Sequence, residues 1–322
     1  MSAVRGAALT GIGHAVPARV VGNAEIAQRL GVEEAWLERR SGTRERRYLA
    51  DGERLADLAA EAGRAALARA RVDGGAIDMV LIATTSPDEL SPHASTWVTG
   101  LLGADGASTL DVSAACTGFL TGLSVGASAI EAGRAEKVLV VGADGLSRYL
   151  NRDDRDTAML FGDGAGAVVL EATDAEAADV GPIRLHSDPS GGPLINLPNG
   201  GTIWMDGRAV FRRAVELMTD VTHEALEAAG IALGDVDLFV YHQANGRILR
   251  AVGHELGLDD ARVIDTIPRF GNTSAASLPI ALSAADEDGR LAPGATVLLA
   301  AFGAGLVWGG GVVRWGVRPR DA

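Results

Sequence analysis

Cysteine occurs once in the 322 residues, so no intrachain disulfide can form and the fold must rest on its core. The lone cysteine and six scattered histidines offer no ligand-spaced metal cluster. Aromatic residues make up 4% against 47% hydrophobic overall, which points to a closely packed, aliphatic interior. Positive charge is scarce: 29 Lys+Arg face 42 Asp+Glu, and the net −13 opposes non-specific attraction to nucleic acid or to an anionic membrane. No stretch approaches about 18 charge-free apolar residues. The opening segment is interrupted by Arg5, His14 and Pro17, so no secretory leader is expected. A soluble cytoplasmic protein is the expectation, without membrane or nucleic-acid partners.

What is present is glycine, 42 residues of it, and short apolar runs alternating with alanine-rich stretches. Runs at 78–83, 137–142, 165–170, 236–241, 296–301 and 310–315 read as strands covered on both faces, with helices near 53–71, 117–133, 207–230, 245–257 and 274–288. This is an α/β pattern, in a chain longer than one typical core. It also repeats. The segment 76–83 resembles 235–242, Leu102-Gly103 with Leu110-Asp111 resembles Leu256-Gly257 with Ile264-Asp265, and Val138–Val141 resembles Val297–Ala300, at an offset of about 159. Two copies of one unit are expected, divided as 1–172 and 173–322.

Cys116 lies where an apolar strand ends and a small-residue helix begins. A thiolate at a helix N-terminus is favoured by the peptide dipole, and the free N–H groups there can hold an oxyanion. A free cysteine is also commonly just a small buried apolar side chain. The second half supplies His242 directly after a strand and Asn272, in Gly-Asn-Thr-Ser, directly before a helix. His242 is either a proton acceptor for the thiol or, with Asn272, a donor to a carbonyl oxygen that becomes an enolate. By itself Asn272 would be an ordinary helix cap.

The order Ala-Ala-Cys116-Thr-Gly-Phe, Phe161-Gly-Asp-Gly-Ala-Gly-Ala167, His242-Gln-Ala-Asn245, Gly271-Asn272-Thr-Ser and Phe302-Gly-Ala-Gly305 resembles the β-ketoacyl-acyl-carrier-protein synthase III family, nearly end to end. The Cys–His–Asn set is selective: thiolases need a second cysteine, and elongating synthases use two histidines. The resemblance implies a thiolase-like fold, with duplicated α/β halves in a layered αβαβα arrangement, the nucleophile in the first half and His and Asn in the second. It implies an acyltransferase of fatty-acid or specialised polyketide metabolism, working as a homodimer without a bound cofactor. Acyl-CoA would load Cys116, and a malonyl thioester on an acyl carrier protein would be decarboxylated and condensed. Cys116 and Gly305 would supply the oxyanion-hole N–H groups. Trp36, Arg40, Arg155, Gly207 and Asn245 would hold coenzyme A and its pantetheine, and Arg212 and Arg247 would dock the carrier. Phe161 and Phe302 would line the acyl pocket, and the loop of Glu89, Leu90 and Ser91 would cross the dimer interface to close the pocket of the partner.

Departures from the family bear on substrate. Ser91 stands where acetyl-primed members are bulky and aromatic, so a longer or bulkier primer is expected. Glu89 occupies the loop from which relatives that make pyrones or join two long chains draw a base. A biotin-pathway branch would want a cation for a distal carboxylate, and here Tyr149 stands beside Arg148. A cysteine thioesterase and an ester- or amide-forming acyltransferase are the rival activities. A dinucleotide-binding enzyme is excluded, because neither Gly162–Gly166 nor Gly303–Gly305 has the full glycine spacing opening a helix.

Overall fold

The computed structural model describes residues 5–316, so the outer ends of the two expected halves lie outside the described residues. In chain order the first part runs β1 (Arg5–Ala15), β2 (Arg19–Gly22), α1 (Asn23–Leu30), α2 (Glu34–Ser41), β3 (Glu45–Tyr48), α3 (Leu55–Ala70), β4 (Met79–Ala83), α4 (Ala94–Leu102), β5 (Ser108–Val112), α5 (Gly118–Glu131), β6 (Lys137–Gly145) and β7 (Asp163–Asp174). The second runs β8 (Val180–Ser187), β9 (Ile195–Asn196), β10 (Trp204–Met205), α6 (Gly207–Ala229), β11 (Leu238–Tyr241), α7 (Gly246–Glu255), α8 (Ile267–Phe270), α9 (Ser277–Glu287), β12 (Thr296–Gly303) and β13 (Val307–Arg314).

Two sheets repeat one topology. The first has the order β1-β7-β6-β4-β5, the second β8-β13-β12-β11. In the first β6, β4 and β5 run parallel, in the second β12 and β11 do, and the pairings through β7 and β1, and through β13 and β8, are antiparallel. The counterpart of β5 is reduced to a single parallel bridge between Phe239 and Val263.

Both sheets are covered on both faces, which is why their strands are apolar at nearly every position. In β6, Val138 and Val140 face the central core while Leu139 and Val141 face α3 and α4. In β12, Val297, Leu299 and Ala301 face the same central core, and Leu298, Ala300 and Phe302 face α6 and α7. Helices α5 and α9 lie between the sheets, completing five αβαβα layers. Close approach of α5 requires glycine every fourth residue: a Cβ on Gly122 would stand 3.0 Å from Val140 Cγ1, and one on Gly126 3.1 Å from Val138 Cγ1. Among the described residues no helix is long and apolar enough to cross a membrane.

Candidate active site

After β5 the chain enters a 3-10 turn, Ala115–Thr117, that feeds α5. Ala115 has φ 46°, a left-handed conformation uncommon for a residue with a Cβ. The same elbow recurs 159 residues later, where Ser274 has φ 50° in the turn Ser274–Ala276 leading into α9. The two elbows touch at the centre of the molecule, with Cys116 Sγ 3.6 Å from Ser274 Oγ. Ala275 occupies in the second elbow the place of Cys116 in the first. Gly303 closes the site from β12: a Cβ there would lie 2.8 Å from the Cys116 nitrogen. Glycine at this position keeps that N–H accessible.

His242 follows β11 and is buried, its Nδ1 2.6 Å from Ser277 Oγ at the start of α9. Asn272 is strapped to the first half through its own backbone, its N–H donating to Leu160 O (2.8 Å) and its carbonyl accepting from Gly162 N–H (2.9 Å). Its Oδ1 accepts from Ser274 N–H at 2.9 Å, which assigns the amide orientation and turns Nδ2 into the free donor. Both side chains are therefore fixed by one polar atom and retain one nitrogen, Nε2 of His242 and Nδ2 of Asn272. The fully buried Asp144 ties the second elbow to the segment that follows β4. Its Oδ1 accepts from Thr85 N–H (2.9 Å) and Ser86 Oγ (2.7 Å), and its Oδ2 accepts from Ala275 N–H (3.1 Å).

The electrostatics favour neutral groups. Burial pushes the Cys116 thiol up to about 12; the Ser274 hydroxyl pulls it down, and the Asp144 charge adds to the rise. The dipole-lowered thiol expected from the sequence is thus outweighed by desolvation. Burial lowers His242 from 6.5 to about 3, so its imidazole is neutral at physiological pH. The folded state refuses a proton that the unfolded chain accepts, so stability is complete above the unfolded value and is lost as pH falls from about 6.5 towards about 3. Compared with His242→Gln, the wild type should lose about 1.4 kcal/mol more per pH unit below that value, read from urea midpoints at pH 6.5 and 5.

A cavity of about 750 Å³ opens onto these groups, lined by Cys116, His242 and Asn272 together. Phe161 and Phe302 contribute to its wall, as do Arg40, Gly207, Asn245, Arg212 and Arg247. Other expected residues are placed elsewhere. Gly305 is not on the wall, whereas its neighbour Ala304 is. Trp36 is off the wall but carries the Arg40 guanidinium over its ring at 4.9 Å. Arg155 is also off it, its guanidinium donating to Leu30 O at 3.0 Å. Asn245 lines the cavity with its side chain already engaged, capping α7 through Arg247 N–H (2.8 Å) and donating to Arg40 O (3.1 Å).

The loop carrying Glu89, Leu90 and Ser91 does not reach the cavity of its own chain. Glu89 is paired with Arg54 at 2.8 Å, and Leu90 is 91% exposed. Asp88 anchors this loop by accepting from the first N–H groups of α3, at 3.0 Å each, and from Arg148 at 2.7 Å. Arg148 is thereby paired with Asp88 and does not line the cavity.

Several residues of the site escaped the sequence reading. Ser274 and Ser277 stood beside Asn272 but looked like ordinary helix-start serines. Asp144 carried a usable signal, a lone acid at the end of the apolar run 137–143. Ile195, Ile203 and Met205, which add apolar wall, come from a segment without periodicity.

Sequence and structure comparisons agree. The family described as 3-oxoacyl-[acyl-carrier-protein] synthase III matches residues 110–189, and its C-terminal counterpart matches 226–315. A β-ketoacyl-[acyl-carrier-protein] synthase III of Rhodospirillum rubrum is 44% identical, covering 95% of this chain and 98% of the relative. The crystal structure of 3-oxoacyl-(acyl carrier protein) synthase III from Pseudomonas aeruginosa PAO1 superposes with a TM-score of 0.93 at 40% identity, covering 98% of this chain and all of that one. The priming β-ketosynthase of the R1128 polyketide pathway gives 0.94 at 34% identity, covering 99% and 98%.

Proposed function

Because the chain belongs to the 3-oxoacyl-[acyl-carrier-protein] synthase III family, we propose that it loads an acyl group from acyl-CoA onto Cys116 and condenses it with a malonyl thioester on an acyl carrier protein. The observation that carries this reading is the convergence of Cys116, His242 and Asn272 on one cavity. In the loading step the Cys116 sulfur bonds to the acyl carbon, the bond to the coenzyme A sulfur breaks, and the thiol proton ends on the departing thiol. The N–H groups of Cys116 and Ala304 hold the oxyanion. In the second step the malonyl carboxylate leaves as carbon dioxide, and its electron pair passes to an enolate whose oxygen faces His242 and Asn272. The enolate carbon then attacks the acyl carbonyl, releasing the Cys116 sulfur, which recovers a proton from solvent. The balance needs no redox or metal cofactor.

Partners follow from the surface. Arg40, Arg208, Arg212 and Arg247 gather along the cavity wall of a chain whose net charge is −13, a local cationic field suited to nucleotide phosphates and to an acidic carrier. The Arg247 guanidinium lies over Phe211 at 5.3 Å, which keeps it extended at the rim. A homodimer is supported by the open edge of β5, where Leu110 is 47% exposed beside Trp97 (42%) and Leu101 (40%) on α4. Such a dimer would place the exposed Leu90 loop against a second copy. Cytoplasmic location fits these substrates.

The primer is proposed to be longer or bulkier than acetyl, on the apolar wall of Phe161, Ile195, Ile203 and Met205 and on the small side chain of Ser91, which the proposed dimer would bring to the cavity from the second copy. Intact-protein mass after incubation with a panel of acyl-CoAs tests both points. One acyl group per chain is expected, loaded faster from longer or branched primers. Equal rates from acetyl-CoA and every longer primer would refute the size argument, and no adduct from any acyl-CoA would refute the function.

A further inference from the structure

His242 can stabilise an enolate only if Nε2, the nitrogen left for the cavity, carries the proton. A neutral imidazole has one N–H, and the partner of the other nitrogen decides where it sits. We propose that Ser277 is the positioning residue that sets this tautomer, its hydroxyl donating to His242 Nδ1 so that Nε2–H faces the substrate. This rests on the condensing function above and specifies how one of its groups is held.

The direction of the bond follows from satisfying every buried donor. Ser277 is 1% exposed, and among the described residues its Oγ reaches a single partner, His242 Nδ1 at 2.6 Å. If Nδ1 carried the proton and donated to Oγ, the serine proton would have no acceptor, and a buried donor left unsatisfied is destabilising. With Oγ–H donating, both atoms are satisfied and one N–H remains for the ligand. Burial, which keeps the ring neutral, makes the choice between tautomers decisive.

The duplicated architecture supplies a second, independent observation. The positions 159 residues before His242 and Ser277 are Ala83 and Gly118, at the same strand end and the same helix start. These two positions also lie against each other: a Cβ on Gly118 would stand 3.0 Å from Ala83 Cβ. The scaffold therefore brings these two points together in both halves with no need for polar atoms. Only the half that faces the first half's nucleophile places an imidazole and a hydroxyl there, and that same half has alanine, Ala275, in the nucleophile's place. The His242–Ser277 pair is a feature of the second elbow's function, not of the fold.

Two readouts on the full-length protein test the assignment. Long-range proton–nitrogen NMR of protein labelled at its six histidines, with His242→Gln for assignment, reads the tautomer directly. Protonated Nε2 with bare Nδ1 is expected; the reverse overturns the proposal. Ser277→Ala should slow carbon dioxide release from malonyl carrier by about tenfold or more while Cys116 acylation stays within about twofold, and Ser277→Thr, which keeps the hydroxyl, should restore it. Unchanged release in Ser277→Ala, or acylation and release falling together, contradicts it. If loaded wild-type protein released no carbon dioxide at all, the condensing function would fail, while the NMR would still decide the tautomer.

Discussion

Replacing Cys116 with alanine is expected to abolish acyl loading and to lower turnover by on the order of 10⁴-fold or more, with the fold intact. The loss should be complete because the chain has no second thiol to accept the group. Structural tolerance is expected for a specific reason: Ala275 already occupies the matching place in the second elbow, where the same left-handed turn and the same helix start are formed around a methyl group. Intact mass with acyl-CoA and a thermal melt separate the two effects. An adduct persisting on Cys116→Ala would move the nucleophile elsewhere.

The second large effect belongs to the pair across the cavity. His242→Ala and Asn272→Ala should each slow carbon dioxide release by about 100- to 1,000-fold, since each removes a preorganised donor from the enolate oxygen. Acylation should survive in both, because the oxyanion of the loading step is proposed to rest on backbone N–H groups of Cys116 and Ala304. The double variant should lose less than the product of the two, as both donors serve one atom. Asn272→Asp should be worse than Asn272→Ala. It replaces a donor with a charge that repels both the enolate and the malonyl carboxylate. Single-turnover release from carboxyl-labelled malonyl carrier, run beside acylation by mass, checks all four variants.

Sequence alone carried the reading further at the centre than at the rim. The apolar runs of β4, β6, β7, β11, β12 and β13 were visible because both faces of each strand are buried, and the repeat was visible because those runs recur in order. By contrast β1, eleven residues long, was not read as a strand. Its Gly6, Gly11 and Gly13 broke the pattern, and they are there because α3 and the turn after β7 press on it; a Cβ on Gly13 would stand 2.5 Å from Ala65 Cβ. Cys116 could be named because it is the one cysteine and stands at a helix start; His242 and Asn272, at a strand end and a helix start, gained definite roles only through the family resemblance. Their supports could not be singled out. Ser277 and Ser274 are common helix-start residues, and what distinguishes them is a partner brought up from 35 and 158 positions away. Residues 89–91 and 305 were placed through the family resemblance. The loop 89–91 lies off its own chain's cavity, as a loop that closes the partner's pocket would, and at the other position the wall is lined by Ala304 rather than Gly305.

The thiol's behaviour was the least legible point. A cysteine next to a helix start suggests an acidified sulfur, yet burial between two elbows and the nearby Asp144 charge keep it protonated. Depth in the molecule, not sequence position, decides the balance.

The most direct test follows one acyl group through the reaction. Enzyme loaded at Cys116 is mixed with malonyl carrier labelled in its free carboxyl, and rapid quenching counts acyl-enzyme lost, carbon dioxide formed and β-ketoacyl product. One carbon dioxide and one β-ketoacyl thioester for each acyl group leaving Cys116 is the expected result; acyl groups leaving as free acid, with the malonyl carboxyl intact, would contradict it.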